Sequence, residues 1–313
     1  MSITKRVVLA GGSGFLGQWL AKELERKDYE VVVLTRSPSL GHGPITEVSW
    51  DGKAIGDWTH YLEGAEALVN LAGRSVNCRY TPENRREIID SRVNSIHAIG
   101  QAVLNCKKPP KAWIQAASLA IYGDPGEHVC DENAPFGKGF SAEVCMRWEQ
   151  AFSEVQLPVT RKAVFRIGFA LQGNGGAMYP LTKLTKLFLG GSVSHGRQYI
   201  SWLHVEDLNR MFIWGIERDD IKGVFNATGT APVTNTEFMK KLRHVLYRPW
   251  SPPTPAWMVR IGAKFMATEP ELALTGRRCL PQRFLEKGFQ FRYEDLEKAF
   301  RDILTRKTVK PSQ

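Results

Sequence analysis

The chain has few of the features that build disulfide-rich, membrane-spanning or metal-clustered proteins. Its 313 residues include five cysteines, an odd number with no C-x-x-C spacing. They are Cys78, Cys106, Cys130, Cys145 and Cys279. Apolar runs such as 31–34 and 67–72 are far shorter than the roughly 20 residues that span a bilayer. No group of histidine, cysteine and acidic residues has metal-site spacing. We therefore expect free thiols, no transmembrane segment and no bound metal.

The start of the chain and its charge bear on location and partners. The first predicted strand begins within about five residues of Met1, which leaves no room for a secretory signal. With free thiols, this predicts an intracellular, reducing compartment, the cytoplasm first and an organelle second. The formal net charge of +10 comes from basic pairs spread along the chain. Scattered pairs are typical of a solvated basic surface, so nucleic-acid binding is the weaker interpretation.

Hydrophobic patterning predicts the fold class. The first half alternates short β-branched runs with helical patterns, as parallel β-α-β units do. Strands are predicted at 6–10, 30–35, 45–50, 67–71, 112–116 and 160–167, and the clearest helices at 14–27 and 81–106. Thr81 is predicted to cap the second helix, with Pro82 at its first position. Later strands at 198–203 and 224–228, with a helix at 205–217, are expected to return to the main sheet. The pattern predicts a doubly wound α/β fold with a mostly parallel sheet.

The strongest functional signal follows the first predicted strand. It consists of Gly11, Gly12, Ser13, Gly14, Phe15, Leu16 and Gly17. These glycines satisfy both G-x-x-G-x-x-G and G-x-G-x-x-G spacings, between an apolar strand and a helical pattern. In such a loop the glycines allow a tight turn, approach of the backbone to a pyrophosphate, and close packing of helix on strand. The loop therefore predicts a Rossmann-type dinucleotide site at the carboxyl ends of the strands, and a turn without a ligand is the alternative.

The end of the second strand indicates which dinucleotide binds. An NAD site usually has Asp or Glu there, which binds the adenosine ribose. This chain has Thr35, Arg36 and Ser37 instead. Guanidinium and hydroxyl donors suit a 2′-phosphate, so the predicted cofactor is NADP(H). An arginine that points into solvent is the alternative.

The alternation of strand and helix patterns is broken after residue 171. A glycine-rich loop at 172–177 and a second glycine cluster at 190–191 interrupt the alternation, and a proline-rich run from Pro249 precedes helical patterns. We predict an NADP-binding domain over 1–171, to which 201–228 returns. A smaller, mainly helical, substrate-side region is predicted from 172–200 and 229–313.

Several motifs together resemble the extended short-chain dehydrogenase/reductases. Leu71, Ala72 and Gly73 close the fourth strand with residues that let backbone approach a cofactor, and Ser118 precedes the pair Tyr122-Gly123. More narrowly, the chain resembles atypical epimerase-family members, nucleoside-diphosphate-sugar epimerase-like with a C-terminal domain of unknown function. The features that carry this are Asp90-Ser91-Arg92, Arg147-Trp148-Glu149, Gly196-Arg197-Gln198, and residues 201–207 and 281–291. The resemblance implies an NADP(H)-dependent oxidoreductase or epimerase acting on a small carbonyl or sugar-nucleotide-like substrate.

One departure from that superfamily bears on catalysis. Its members use a Tyr-x-x-x-Lys pair, in which tyrosinate is the acid/base and lysine lowers its pKa. Phe140 and Val144 stand at those positions. A phenyl ring transfers no proton and an isopropyl group stabilises no anion. The remaining candidates for catalysis are Ser118, Tyr122, Glu143 and Cys145.

Each candidate also has a structural interpretation. Tyr122 is expected to pack beside the cofactor, Glu143 to be a surface carboxylate, and Cys145 a small buried hydrophobe. His204 and Asp207 are interpreted as orienting a strand-helix junction rather than binding a metal.

Three functions stay open at this point. The first is an NADP(H)-dependent oxidoreductase or epimerase with a non-standard proton donor. The second is a non-catalytic NADPH-binding or redox-sensing protein, and the third a nucleic-acid-associated module. The resemblance also implies a homodimer through helices at 81–106 and 141–155.

Overall fold

A computed structural model describes residues 5–39, 44–173 and 175–305. The strands are β1 (Arg6–Ala10), β2 (Glu30–Thr35), β3 (Thr46–Ser49), β4 (Ala67–Asn70), β5 (Ala112–Ser118), β6 (Val129–Cys130), β7 (Arg161–Ile167), β8 (Phe169–Leu171), β9 (Tyr199–Ile200), β10 (Trp202–His204), β11 (Gly223–Ala227), β12 (Val233–Thr234) and β13 (Arg278–Cys279). The helices are α1 (Phe15–Glu25), α2 (Pro82–Leu104), α3 (Phe140–Glu154), α4 (Met178–Lys186), α5 (Val205–Glu217), α6 (Asn235–Val245), α7 (Ala256–Phe265), α8 (Glu271–Leu274), α9 (Gln282–Glu286) and α10 (Leu296–Thr305). Short 3-10 turns cover Asp57–Leu62 and Leu119–Tyr122.

Within the described residues, seven strands form one sheet in the order β3-β2-β1-β4-β5-β7-β11. β1 pairs in parallel with β2 on one side and with β4 on the other, and β2–β3 and β4–β5 are also parallel. The residues of β4 and nearly all of β1 and β2 are buried, as strands covered on both faces require. The strand order reverses between β1 and β4, which is where such sheets bind ligands. The predicted doubly wound α/β fold is confirmed.

Local sequence explains where the flanking helices begin. The Thr81 hydroxyl accepts a hydrogen bond from the Asn84 amide at 3.3 Å, and Pro82 opens α2. This confirms the predicted cap. In α1, Leu20 and Leu24 lie four residues apart and are fully buried. A stripe with that spacing packs one face of the helix onto the core.

The chain divides into two compact units. The first comprises 1–121, 138–166 and 209–225, and the second 122–137, 167–208 and 226–313. Inside the second unit, β8 pairs with β10, β9 with β12, and β6 with β13. Its core is one apolar cluster built around Leu171, Met178, Trp202, Phe238, Leu242, Leu296, Phe300 and Ile303. Of the glycine-rich loop predicted at 172–177, Asn174 lies outside the described residues.

One strand expectation was wrong. The predicted strand at 198–203 divides at Ser201 into β9 and β10, and neither belongs to the seven-stranded sheet. Ser201 is the reason, because its hydroxyl donates to the Arg277 carbonyl at 2.7 Å and accepts from the Cys279 amide at 2.8 Å. By contrast, β11 joins the main sheet as expected. Among the described residues, no helix is long and apolar enough to cross a bilayer.

Candidate cofactor and catalytic site

The loop after β1 is tightly packed at most of its glycines and open at one of them. Gly11 has a φ of +75°, and a Cβ there would lie 2.8 Å from the Ala72 backbone. A Cβ at Gly17 would lie 2.4 Å from the Gly12 carbonyl oxygen. A Cβ at Gly14, in contrast, would meet only the Gly11 oxygen, at 3.4 Å. The fold therefore requires Gly11 and Gly17, whereas the described residues leave the space over Gly14 free.

Helix α1 begins at this free space. Its N-cap is Gly14, which has no side chain to accept hydrogen bonds from the first turn, and that turn carries no acidic residue. The first N–H groups of a helix have no intrahelical acceptor, and the helix dipole is positive there. Backbone donors at a helix start bind phosphate groups. The free space and these donors together fit the pyrophosphate of a dinucleotide.

The end of β2 is joined to the same loop. Thr35 is buried, and its hydroxyl lies 2.8 Å from the Ser13 hydroxyl and accepts from the Ser37 amide at 3.4 Å. We assign Thr35 to positioning the loop. Arg36 and Ser37 are exposed at the strand end. Their side chains are therefore open to solvent at the position predicted for a ribose 2′-phosphate.

A buried amide shapes the chain after β4. Asn70 donates to the Ser95 hydroxyl at 3.2 Å and to the Gln115 carbonyl oxygen at 3.0 Å, and it accepts from the Ala72 amide at 3.0 Å. All of its strong hydrogen-bonding groups are thereby used inside the protein. The network turns the chain at Leu71 so that Ala72 packs against Gly11. The small residues after Asn70 are visible in the sequence, whereas this network is not.

Ser118 and Tyr122 belong to different units. Ser118 ends β5, is half-buried, and accepts a hydrogen bond from the Ala120 amide at 3.2 Å. Tyr122 is fully buried in the second unit, where its hydroxyl donates to the Asn226 side chain at 2.9 Å. The Tyr122 proton therefore has a fixed acceptor.

The two positions predicted to correspond to the Tyr-Lys pair belong to an apolar cluster. Phe140 and Val144 are buried one turn apart on α3 and pack with Ile88 of α2. The Tyr80 ring meets the Phe140 ring edge-on, with centroids 4.7 Å apart. The guanidinium of Arg85 lies 4.6 Å from the Phe140 ring centre. The side chains of Ile88, Phe140 and Val144 exchange no protons, so these three positions supply no acid or base.

The other two catalytic candidates on α3 differ in exposure. The Glu143 carboxylate accepts from Arg147 at 2.7 Å, and both side chains are about half exposed. Cys145 is buried. Glu143 is thus a surface carboxylate in an ion pair, as its structural interpretation predicts, and Cys145 lies on the inner side of the helix.

His204 and Asp207 have structural partners in the second unit. The His204 ring accepts from the Glu206 amide at 3.1 Å through Nδ1, and its Nε2 lies 3.1 Å from the Asp302 carboxylate. Asp207 accepts from the amides of residues 292 and 293. The His204 contact lies at the strand-helix junction, as interpreted, whereas Asp207 instead fixes the chain at residues 292 and 293. The described part of the chain contains no group of three or more His, Cys, Asp or Glu side chains placed to hold a metal.

Family models and known proteins match most of the chain. The NAD dependent epimerase/dehydratase family model matches residues 7–161, and a model named domain of unknown function DUF1731 matches residues 254–303. A chloroplastic homologue of epimerase family protein SDR39U1 from Arabidopsis thaliana is 32% identical over 95% of this chain and 86% of that protein.

Two solved structures resemble this fold. Human epimerase family protein SDR39U1, solved with NADPH, superposes with a TM-score of 0.86, at 28% identity over 96% of this chain and 99% of that one. UDP-N-acetylglucosamine 4-epimerase from Bacillus cereus shares the fold at a TM-score of 0.72, with 16% identity over 98% of this chain and 99% of that one. The resemblance to atypical extended short-chain dehydrogenase/reductases is thereby confirmed, and the chain belongs to the epimerase family.

Proposed function

We propose that this chain binds NADP(H) and transfers hydride between the nicotinamide and a small carbonyl or sugar-nucleotide-like substrate. It would act as an oxidoreductase or epimerase-like protein with a non-standard active site. The observation that carries the proposal is the free space over Gly14 at the start of α1, beside the exposed Arg36. The NADPH complex of human epimerase family protein SDR39U1 supports the choice of cofactor.

Different residues of the first unit bind different parts of the cofactor. The backbone at Gly14 and the first turn of α1 hold the pyrophosphate, and Arg36 with Ser37 binds the 2′-phosphate. Ala72 and Gly73 bring backbone close to the cofactor after β4. When bound, NADPH supplies the hydride and its oxidised form accepts one.

The proton needs another source than the missing pair. Ser118 matches the superfamily serine and would polarise the substrate carbonyl. Tyr122 donates to Asn226 and Glu143 faces solvent, which favours Ser118, Cys145 or a water molecule as the proton carrier. Hydride transfer would then be slow for an enzyme of this fold.

A second candidate is an NADPH-binding protein without turnover. It rests on the apolar packing of Phe140 and Val144, which removes the principal acid/base of the superfamily. Both candidates require the same cofactor site and differ only in chemistry.

Two measurements test the proposal. Calorimetric titration of the wild-type chain should give saturable NADPH binding that is at least about tenfold tighter than NADH binding. That difference corresponds to one strong charge-assisted hydrogen bond, which NADPH makes and NADH does not. No NADPH binding would overturn the cofactor site. A carbonyl and sugar-nucleotide screen that follows nicotinamide absorbance then separates the candidates, since only the first predicts turnover.

A further inference from the structure

Two buried N–H donors near the end of β4 have no acceptor among the described residues. They are Nε of Arg92 on α2 and the indole Nε1 of Trp148 on α3. The Arg92 guanidinium lies over the Trp148 ring, with its carbon 4.8 Å from the ring centre. A buried donor without a partner is uncommon, and two of them on side chains in contact require an explanation.

The guanidinium is fixed in place by backbone. Its Nη1 donates to the carbonyl of Arg74 at 3.0 Å and to that of Ile88 at 2.9 Å. Gly73, the chain neighbour of Arg74, packs against the same side chain, and a Cβ there would be 3.1 Å from the guanidinium carbon. The loop after β4, the preceding turn of α2 and the Trp148 ring of α3 therefore hold Arg92 in one orientation, which is the preorganisation that a binding group needs.

The positive charge of Arg92 lacks a counter-ion in the part of the chain that the structure describes. No carboxylate there forms an ion pair with it, and the ionisable groups that act on it are Tyr80 and Cys145. The neighbouring carboxylate of Glu149 is already bound by Arg166, through two bonds of 2.8 Å. Burial lowers the pKa of Arg92, although guanidinium stays protonated. A buried cation without a counter-ion is unfavourable unless a bound anion supplies one.

The position connects this pair of donors to the proposed chemistry. Gly73 directly follows Ala72, which packs against Gly11 of the cofactor loop. The site thus lies at the carboxyl edge of the parallel sheet, where α/β proteins bind ligands. The fixed cation beside Trp148 is Arg92 of α2.

We propose that Arg92 and Trp148 bind an acidic group of the substrate, a carboxylate or a phosphate. The inference rests on the proposed NADP(H) site and narrows its substrate to an anionic carbonyl compound. A neutral water molecule could occupy the same space but would leave the guanidinium uncompensated, so an oxyanion is the better match in charge and geometry.

Calorimetry with defined probes tests this assignment. Pyruvate, inorganic phosphate and the neutral amide pyruvamide are titrated into the wild-type chain saturated with NADPH. The variants are Arg92→Gln, which removes the charge, and Trp148→Phe, which keeps an aromatic ring but loses the N–H. Arg86→Gln, an exposed arginine on the same helix, is the control. NADPH binding is measured for every variant.

We expect at least one anion to bind saturably to the wild type and to the control, and pyruvamide not to bind. Binding should weaken at least about tenfold in Arg92→Gln and less in Trp148→Phe, because one loses a charge and the other a neutral donor. Tighter phosphate binding would assign a phosphoryl group, and tighter pyruvate binding a carboxylate.

If neither anion binds while NADPH does, water serves both donors, and this inference fails while the proposed function stands. If NADPH does not bind to the wild type, the proposed function fails first. Equal anion affinity in Arg92→Gln would also overturn the assignment, and Trp148→Phe provides the test if Arg92→Gln does not fold.

Discussion

The hydroxyl oxygens of Ser13 and Thr35 lie 2.8 Å apart, so one hydrogen bond joins the glycine loop after β1 to the end of β2. The next residue, Arg36, is exposed at this junction. Its side chain is therefore attached to a backbone whose position relative to α1 is fixed. This relationship is what makes a cofactor-specific role for Arg36 testable.

Arg36→Ala should weaken NADPH binding about ten- to a hundredfold and leave NADH binding nearly unchanged. Only NADPH has the 2′-phosphate, and a charge-assisted hydrogen bond contributes about 1.5–3 kcal/mol. Calorimetric titration with both cofactors measures the effect, with Arg86→Ala as the control for lost charge. An equal loss for the two cofactors would contradict the assignment.

Substitutions at two glycines should separate binding from folding. Gly14→Val should abolish NADPH binding with little change in melting temperature, because the described residues leave room for a side chain where the pyrophosphate must approach. Gly17→Ala should instead lower the melting temperature, since its Cβ would overlap the Gly12 carbonyl. Gly262→Ala in α7, with no atom near its Cβ, is the control and should keep or raise the melting temperature, because alanine favours a helix over glycine. Retained thermal protection of Gly14→Val by NADPH would refute the site.

Tyr122→Phe should lower stability without lowering turnover. The variant leaves the buried Asn226 carbonyl oxygen without its donor, at a cost of about 1–3 kcal/mol in the free energy of unfolding. The exposed Tyr179→Phe is the matched control and should change stability by less than about 0.5 kcal/mol. Urea denaturation and kcat together decide, because a catalytic Tyr122 would show the opposite pattern.

Reduction of carbonyl compounds should be slow. Phe140 and Val144 supply no acid or base, and a positioned group of that kind typically contributes about 10²–10⁴-fold. We expect NADPH oxidation with sugar nucleotides and simple carbonyls at least about a hundredfold below ordinary enzymes, whose rates are near ~10 s⁻¹. Ordinary rates with any substrate would show a dedicated donor.

Single substitutions would then identify that donor. Ser118→Ala should remove most of the measured activity if this hydroxyl polarises the substrate carbonyl. Cys145→Ala tests the buried thiol, and Glu143→Gln should have no effect, since that carboxylate pairs with Arg147 at the surface. If none of these changes alters a measurable rate, the active site lies elsewhere.

The stability of the second unit should depend on the titration of Glu132. Burial raises the pKa of this carboxyl, against the opposing effect of backbone N–H groups of Asn226 and Arg283 that donate to it. The folded chain therefore holds the Glu132 proton more tightly than the unfolded chain does. The contribution of the Glu132 carboxyl to the free energy of unfolding is therefore greatest below its ordinary pKa. It declines as pH rises through the raised pKa of the folded chain. Glu132→Gln should remove this decline, measured by urea unfolding between about pH 4 and pH 7.

Local signals predicted the first unit well. The glycine loop, the Thr81 cap and the bounds of β1 and β2 follow from residues that are neighbours in sequence, because turns, caps and strand periodicity are local properties.

Contacts between distant residues were beyond sequence reasoning. The bond from Asn70 to Gln115 spans 45 positions, and those from Ser201 to residues 277 and 279 span 76 and 78. Nothing in a hydrophobic pattern reports such partners, which is why the division of one strand into β9 and β10 was missed. In the sequence, Arg92 and Trp148 stand out only as parts of motifs. Their common feature, an unused donor, exists only once α2 and α3 are packed.

The C-terminal segment has a consequence for how this chain can be cut or recombined. Phe300 and Ile303 of α10 share a core with Trp202, and Asp302 contacts His204, so the last helix completes elements that lie 98 positions earlier in the chain. A truncated chain that ends before residue 254 would leave that core open to water and would remove the backbone donors at 292 and 293 from the carboxylate of Asp207. The segment from residue 254 onward therefore cannot be transferred alone, because in another protein it would lack the core residues on which it packs. An exchange between relatives would have to replace the whole second unit.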